Sequence, residues 1–155
     1  MLHDRSRWSI GDGCSAARTL DLLRTKTVFL VLREFFYGTS RFDDFVSRTE
    51  ASAPAVSRAL KQLATADLIE RVEYRDQGSR TREEYRLTGA GEDLLPVFLA
   101  LVQWGDAHLQ DGRPPLVFVD ENTGEPVRVR PMAGNNEVRE ADIRIRLHPE
   151  LRPQR

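Results

Sequence analysis

The chain is 155 residues long, 40% hydrophobic and 30% charged, with a formal net charge of -1. These values describe one ordinary globular domain, with room for an appendage, that can bury a core. They exclude strong non-specific attraction to nucleic acid through a global field, so any such affinity has to come from local placement of Arg and Lys.

Residues 1–13, MLHDRSRWSIGDG, are polar, glycine-punctuated and aperiodic, and read as an N-terminal arm without the apolar stretch of a secretion signal. The longest apolar run, residues 28–32, is far too short to span a bilayer, so a cytoplasmic protein with no membrane association is expected. Cys14 is the only cysteine, which rules out an internal disulfide framework and a cysteine-rich zinc site. At the start of a helix, with Arg18 one turn on, its thiolate would be favoured enough for a thiol sensor; the ordinary fate of a lone cysteine is a small inert hydrophobe.

From Ser15 the pattern turns helical, with Ala16, Leu20 and Leu23 on one face. Thr25 is placed to cap a second helix, TVFLVLREFFYG, which is apolar on nearly every side and therefore buried, and which Gly38 stops. Strand competes there because Val and Phe favour it, but Arg33 and Glu34 would interrupt a buried strand. RFDDFVSRT then places Phe42, Phe45 and Val46 at helical spacing for a short third helix, with Asp43 and Asp44 on its outer face.

Residues 52–63, SAPAVSRALKQL, form the stretch around which the chain is organised. Val56, Leu60 and Leu63 share a face at i, i+4 and i+7, flanked by Ala53, Ala59 and Ala64. Ser52 and Pro54 sit where an N-cap and a first-turn proline belong, and Arg58, Lys61, Gln62 and Thr65 fall on the opposite side. That outward face is polar, basic and free of acids, as required of a helix lying in a major groove; a solvated surface helix has the same pattern. Two short helices joined by a turn of about three residues have helix-turn-helix spacing.

The period then changes to that of a β-hairpin. Residues 68–75 and 83–87 flank DQGSRTR, a basic tip with Arg75, Arg80 and Arg82 that suits a wing over phosphates, or equally a solvated loop. Thr88 opens a long helix through about Leu109, which Pro96 should kink or start late. Its stripe of Leu94, Phe98, Leu101 and Val102, widened by Leu95, Trp104 and His108, exceeds the needs of a small core. With Leu20 of the first helix it makes a candidate homodimer interface, against plain core packing as the alternative. Past Pro114 and Pro115, residues 116–119 and 126–130 flank DENTGE as a second small hairpin, and residues 141–147 alternate as a third strand. Nothing selects a role for this extension.

No catalytic constellation stands out. His3, His108 and His148 are scattered, Asp43 and Asp44 diverge on a helix, and Gly89 to Gly91 opens a helix instead of following a strand. No enzyme, metal site or cofactor is expected.

The order helix, helix, helix, amphipathic helix, hairpin, long helix resembles the HxlR family of bacterial winged helix-turn-helix regulators. The resemblance runs from Cys14 to about Leu109, through ARTLDLL, VLREFFYG, RFDDF, then Ser57, Leu60 and Leu63, and on through DLIERVEY, YRLTGAGEDLLPV and QWGD. It implies a homodimeric repressor or activator with the fourth helix in the major groove, the hairpin on flanking DNA, and the terminal helices dimerising. It also implies a cysteine that serves some relatives as a thiol sensor. Four departures stand out. Cys14-Ser15 replaces Cys-Pro, Thr25-Lys26-Thr27 replaces Gly-Lys-Trp, Ala59 stands where an arginine is familiar, and the extension carries no cysteines.

The expected fold is therefore α+β, mainly helical. Residues 1–13 are an arm, residues 14–112 a winged helix-turn-helix with a long C-terminal dimerisation helix, and residues 113–155 a small β-rich extension. Ser52, Pro54, Ser57, Arg58, Lys61, Gln62, Arg75, Arg80 and Arg82 are the expected contacts to double-stranded DNA on an inverted repeat. The alternatives are a MarR-type regulator, which shares a PAVSRAL-like helix but needs a long helix before the first short one, and an interaction module on the same fold that does not bind DNA. A third is a small-molecule or enzymatic role in the extension.

Overall fold

A computed structural model of the chain describes residues 13–74, 82–111, 113–139 and 142–143. Helix α1 spans Ser15–Leu22, α2 Lys26–Phe36, α3 Phe42–Thr49 and α4 Ala53–Thr65; strands β1 Ile69–Tyr74 and β2 Arg82–Leu87 follow. Next come α5 Gly89–Glu92, α6 Leu95–Leu109, and the two-residue strands β3 Met132–Ala133 and β4 Asn136–Glu137.

The second helix is the packing centre. The Thr25 hydroxyl accepts from the Val28 amide and so caps α2, while Gly38, at φ 84°, turns the chain out of it. Val28, Val31 and Phe35 of α2 meet Phe45 of α3, and Val56, Ala59, Leu60 and Leu63 of α4, with Leu68 and Ile69 closing the cluster. Fully burying each large side chain contributes about 1.5–3 kcal/mol, which outweighs the β preference of Val and Phe in this segment. Glu34, in the same helix, is 3% exposed. Its carboxylate accepts from Arg33 and from the Thr39 hydroxyl, so the buried charge is paired within the helix and the turn after it.

The hairpin pairs β1 with β2 antiparallel in the register Ile69 to Leu87 through Tyr74 to Arg82. On the other side of β2 the Tyr85 amide donates to the Ser40 carbonyl at 2.8 Å, which ties the hairpin to the turn after α2. Thr88 fastens the base: its amide donates to the Leu68 carbonyl, its hydroxyl donates to the Asp67 carbonyl, and it accepts from the Gly91 amide.

The long helix is interrupted. A single turn, α5, ends at Asp93, and α6 starts afresh with Pro96 in its first turn, the late start that the proline predicts. Phe98 is 1% exposed. It centres a second cluster with Phe36 at 5.3 Å, Tyr37 and Phe118 at 5.9 Å and Phe29 at 6.1 Å between ring centroids. Phe98 therefore belongs to the protomer's own core, and its placement on an exposed dimer stripe is corrected. Leu94 is half-buried against the central cluster.

The segment after Arg113 folds back along α6. Phe118 reaches the aromatic cluster, and the Gln103 side chain both donates to and accepts from the backbone of Val129. The turn expected at DENTGE is present: the Asp120 carboxylate accepts from the Asn122 and Thr123 amides and the Thr123 hydroxyl. Its flanks meet through one bridge, Val119 to Pro126, not through a full ladder. The third strand expected over residues 141–147 is not seen at the two positions described there, Asp142 and Ile143; the rest lie outside the described residues. The β3–β4 hairpin, which turns through Gly134 at φ 60°, was not legible in the pattern.

Candidate nucleic-acid interface

Helix α4 is held from behind by its apolar face: Val56 and Leu63 are completely buried, and Ala59 and Leu60 are 2% exposed. Such anchoring fixes the rotation of the helix, and the opposite face follows from it. Ser52, Ala53, Pro54, Ser57, Arg58, Lys61, Ala64 and Thr65 are all exposed. Ser52 has N-cap backbone geometry at φ -63° and ψ 146°, but its hydroxyl makes no cap hydrogen bond, and Pro54 stands in the first turn. The Ser52 hydroxyl is left exposed and without a cap partner, while the Ala55 and Val56 amides donate to the Ser52 carbonyl.

Among the described residues, neither Arg58 nor Lys61 forms an ion pair or a side-chain hydrogen bond. The face carries two cations and no carboxylate, and small side chains surround them. A helix face of this size and charge matches the width of a DNA major groove and the sign of its phosphates.

Gln62 is a correction. Its side-chain amide donates to the Leu22 carbonyl at 2.6 Å, so it ties α4 to the end of α1 and is withdrawn from the outer face. Conversely, of the three alanines expected to flank the buried face only Ala59 is buried; Ala53 and Ala64 are exposed. The first residue of a helix precedes the packed turns, and no heptad-like pattern constrains it.

Of the hairpin cations, Arg75 and Arg80 lie outside the described residues, as does the side chain of Arg82. The strands below them are described: Arg71 pairs with Glu83 at 3.1 Å and lies 5.6 Å over the Tyr85 ring, while Arg86 pairs with Glu84. The two cations on the lower part of the hairpin are thus paired within it, and the exposed Glu70 and Glu73 leave that part net acidic.

Cys14 is a free, half-buried thiol at the N-cap position of α1. Leu20 of α1 is 67% exposed and Leu101 of α6 is 53% exposed; both line an open apolar groove with Ala16, Leu23, Phe29 and Val97. Trp104 is 58% exposed, its ring 5.0 Å from that of His108, and Val102 is half-buried. No helix among the described residues is long and apolar enough to cross a membrane, and no group of His, Cys, Asp or Glu among them is arranged to hold a metal ion.

A turn-linked helix pair whose second helix has an acid-free outer face, followed by an antiparallel hairpin packed on the same core, defines a winged helix-turn-helix protein of the DNA-binding regulator class. The chain belongs to the HxlR family, whose HxlR-like helix-turn-helix model matches residues 22–113. An uncharacterised HTH-type transcriptional regulator of Mycobacterium tuberculosis is 36% identical over 115 residues, covering 74% of this chain and 72% of the relative. One from Synechocystis is 33% identical over 101 residues, covering 64% and 73%. Among solved structures, PA1607, described as a candidate transcription factor, superposes with a TM-score of 0.77 at 26% identity, over 88% of this chain and 96% of that one. The reduced form of the regulator YodB from B. subtilis shares the fold at a TM-score of 0.54 and 22% identity, over 64% and 98%.

Proposed function

We propose that this regulator acts as a cytoplasmic homodimer on an inverted-repeat operator, with α4 of each subunit in the major groove. The observation that carries the proposal is the outer face of α4, where Arg58 and Lys61 have no ion-pair partner among the described residues and stand among small, uncharged neighbours. Ser52, Pro54 and Ser57 line the approach to the groove, and Arg75, Arg80 and Arg82 at the hairpin tip supply the flanking phosphate contacts. The exposed Leu20 and Leu101, with Val97 and Trp104 along α6, support pairing of subunits through α1 and α6. A twofold arrangement of this kind puts the two half-sites about 34–36 Å apart, one helical turn of DNA.

The deciding experiment titrates the purified protein against DNA from its own upstream region at two salt concentrations, with random-sequence competitor. Saturable binding that survives competitor, weakens with salt and falls at least fivefold in Arg58→Ala is the expected result. No binding there, followed by none to random genomic fragments, would replace this reading with that of an interaction module on a winged scaffold.

A further inference from the structure

The structure assigns a base preference to α4: we propose that each half-site contains a guanine read by Arg58 and, within about one to three base steps, a thymine whose methyl group lies against Ala53 and Pro54. This rests on the DNA-binding reading above and specifies what that interface recognises.

The four base edges of the major groove require different partners: a forked donor for guanine, a carboxamide for adenine, an acceptor for the cytosine amino group, and an apolar group for the thymine methyl. The exposed side chains of the first two turns of α4 are Ala53, Pro54, Ser57 and Arg58. None is a carboxylate, which leaves the cytosine amino group without its usual acceptor. The only carboxamide of the helix is Gln62, and it is held on the Leu22 carbonyl at 2.6 Å, which removes the bidentate partner of adenine. The guanidinium of Arg58 remains for guanine O6 and N7, and the apolar surface of Ala53 and Pro54 remains for thymine. The Ser57 hydroxyl serves either kind of edge and adds no preference. Arg58 lies five positions after Ala53. At the helical rise this is about 7.5 Å, close to two base steps of the duplex.

The test is selection of the full-length protein against a randomised duplex pool, followed by atom-level replacement in the selected site. A half-site with a G·C and an A·T pair within about three steps is expected. Replacing the guanine by 7-deazaguanine, which lacks the N7 acceptor, should cost the wild type at least fivefold, and Arg58→Ala itself about 5- to 150-fold, with no further loss when the two are combined. Replacing thymine by uracil removes only the methyl and should cost the wild type about fourfold and Ala53→Gly less than that, because only Pro54 then remains against the methyl. A half-site wholly of A·T or wholly of G·C pairs, or indifference of the selected site to both replacements, would overturn the base preference while leaving DNA binding intact. Failure to enrich any sequence would overturn both.

Discussion

The side-chain amide of Gln62 donates to the main-chain carbonyl of Leu22 at 2.6 Å, across forty positions of sequence. This one bond sets two things at once. It satisfies a carbonyl at the C-terminal end of α1, where the helix leaves acceptors without partners, and it takes the only carboxamide of α4 away from the outer face. Gln62→Ala should therefore destabilise the fold by about 1 kcal/mol while leaving affinity for the selected operator nearly unchanged. Urea unfolding and DNA titration of the same variant separate the two effects. A large loss of affinity at unchanged stability would return Gln62 to the DNA face.

Gly91 has no room for a side chain. A Cβ added there would stand 2.0 Å from the Leu68 carbonyl oxygen and 2.9 Å from Leu87, whereas at Gly89 it would meet nothing within 4 Å. Gly91→Ala should cost about 1–3 kcal/mol or more through displacement of β1 from α5. Gly89→Ala should be neutral or stabilising by up to about 1 kcal/mol. Thermal unfolding of the two variants side by side is the check, and equal behaviour would refute the close approach.

Tyr37 couples the aromatic cluster to the pH scale. Burial raises its phenol above the ordinary 10.0, aided by the negative charges of Glu34 and Asp106 and opposed by Arg33. With the folded value above the unfolded one, the folded state holds its proton longer. Its contribution to stability is complete below the unfolded pKa and is lost as pH rises through the folded value. The Tyr37 phenolate absorbance, obtained by difference from Tyr37→Phe, should emerge later than that of free tyrosine. The variant should also lose less stability in alkali, and an early-titrating Tyr37 would contradict this placement.

The exposed pair Leu20 and Leu101 provides the test of subunit pairing. Leu20→Asp or Leu101→Asp should shift the protein to monomer in sedimentation velocity with little change in helical circular dichroism, because both side chains are already in solvent in the protomer. Affinity for a full operator should fall steeply and affinity for a single half-site should hold. A wild-type protein that sediments as a monomer would remove the interface.

Lys61 should act through phosphate. Lys61→Ala is expected to weaken binding about equally on all sequences and to flatten the dependence of log affinity on log salt by about 0.9. Loss confined to one sequence would make it a base reader.

The sequence alone determined the local elements wherever one physical signal dominated. Val56, Leu60 and Leu63 at helical spacing fixed both the existence of α4 and its buried face, because burial of three large apolar groups outweighs everything the outer residues can do. Thr25 and Thr88 marked helix starts through their hydroxyls, and the change of period after Leu68 marked the hairpin. Tertiary structure decided what depends on partners distant in the chain. Whether the apolar residues of α6 face inward or outward was undecidable from their stripe, since Phe98 and Leu101 share it; Phe29, Phe36, Tyr37 and Phe118 enclose the first and leave the second exposed. Gln62 likewise looks like any outward polar residue until Leu22 is placed beside it. A side chain's own chemistry sets what it can bind, but only the packing of the other elements sets which of its possible partners comes within reach.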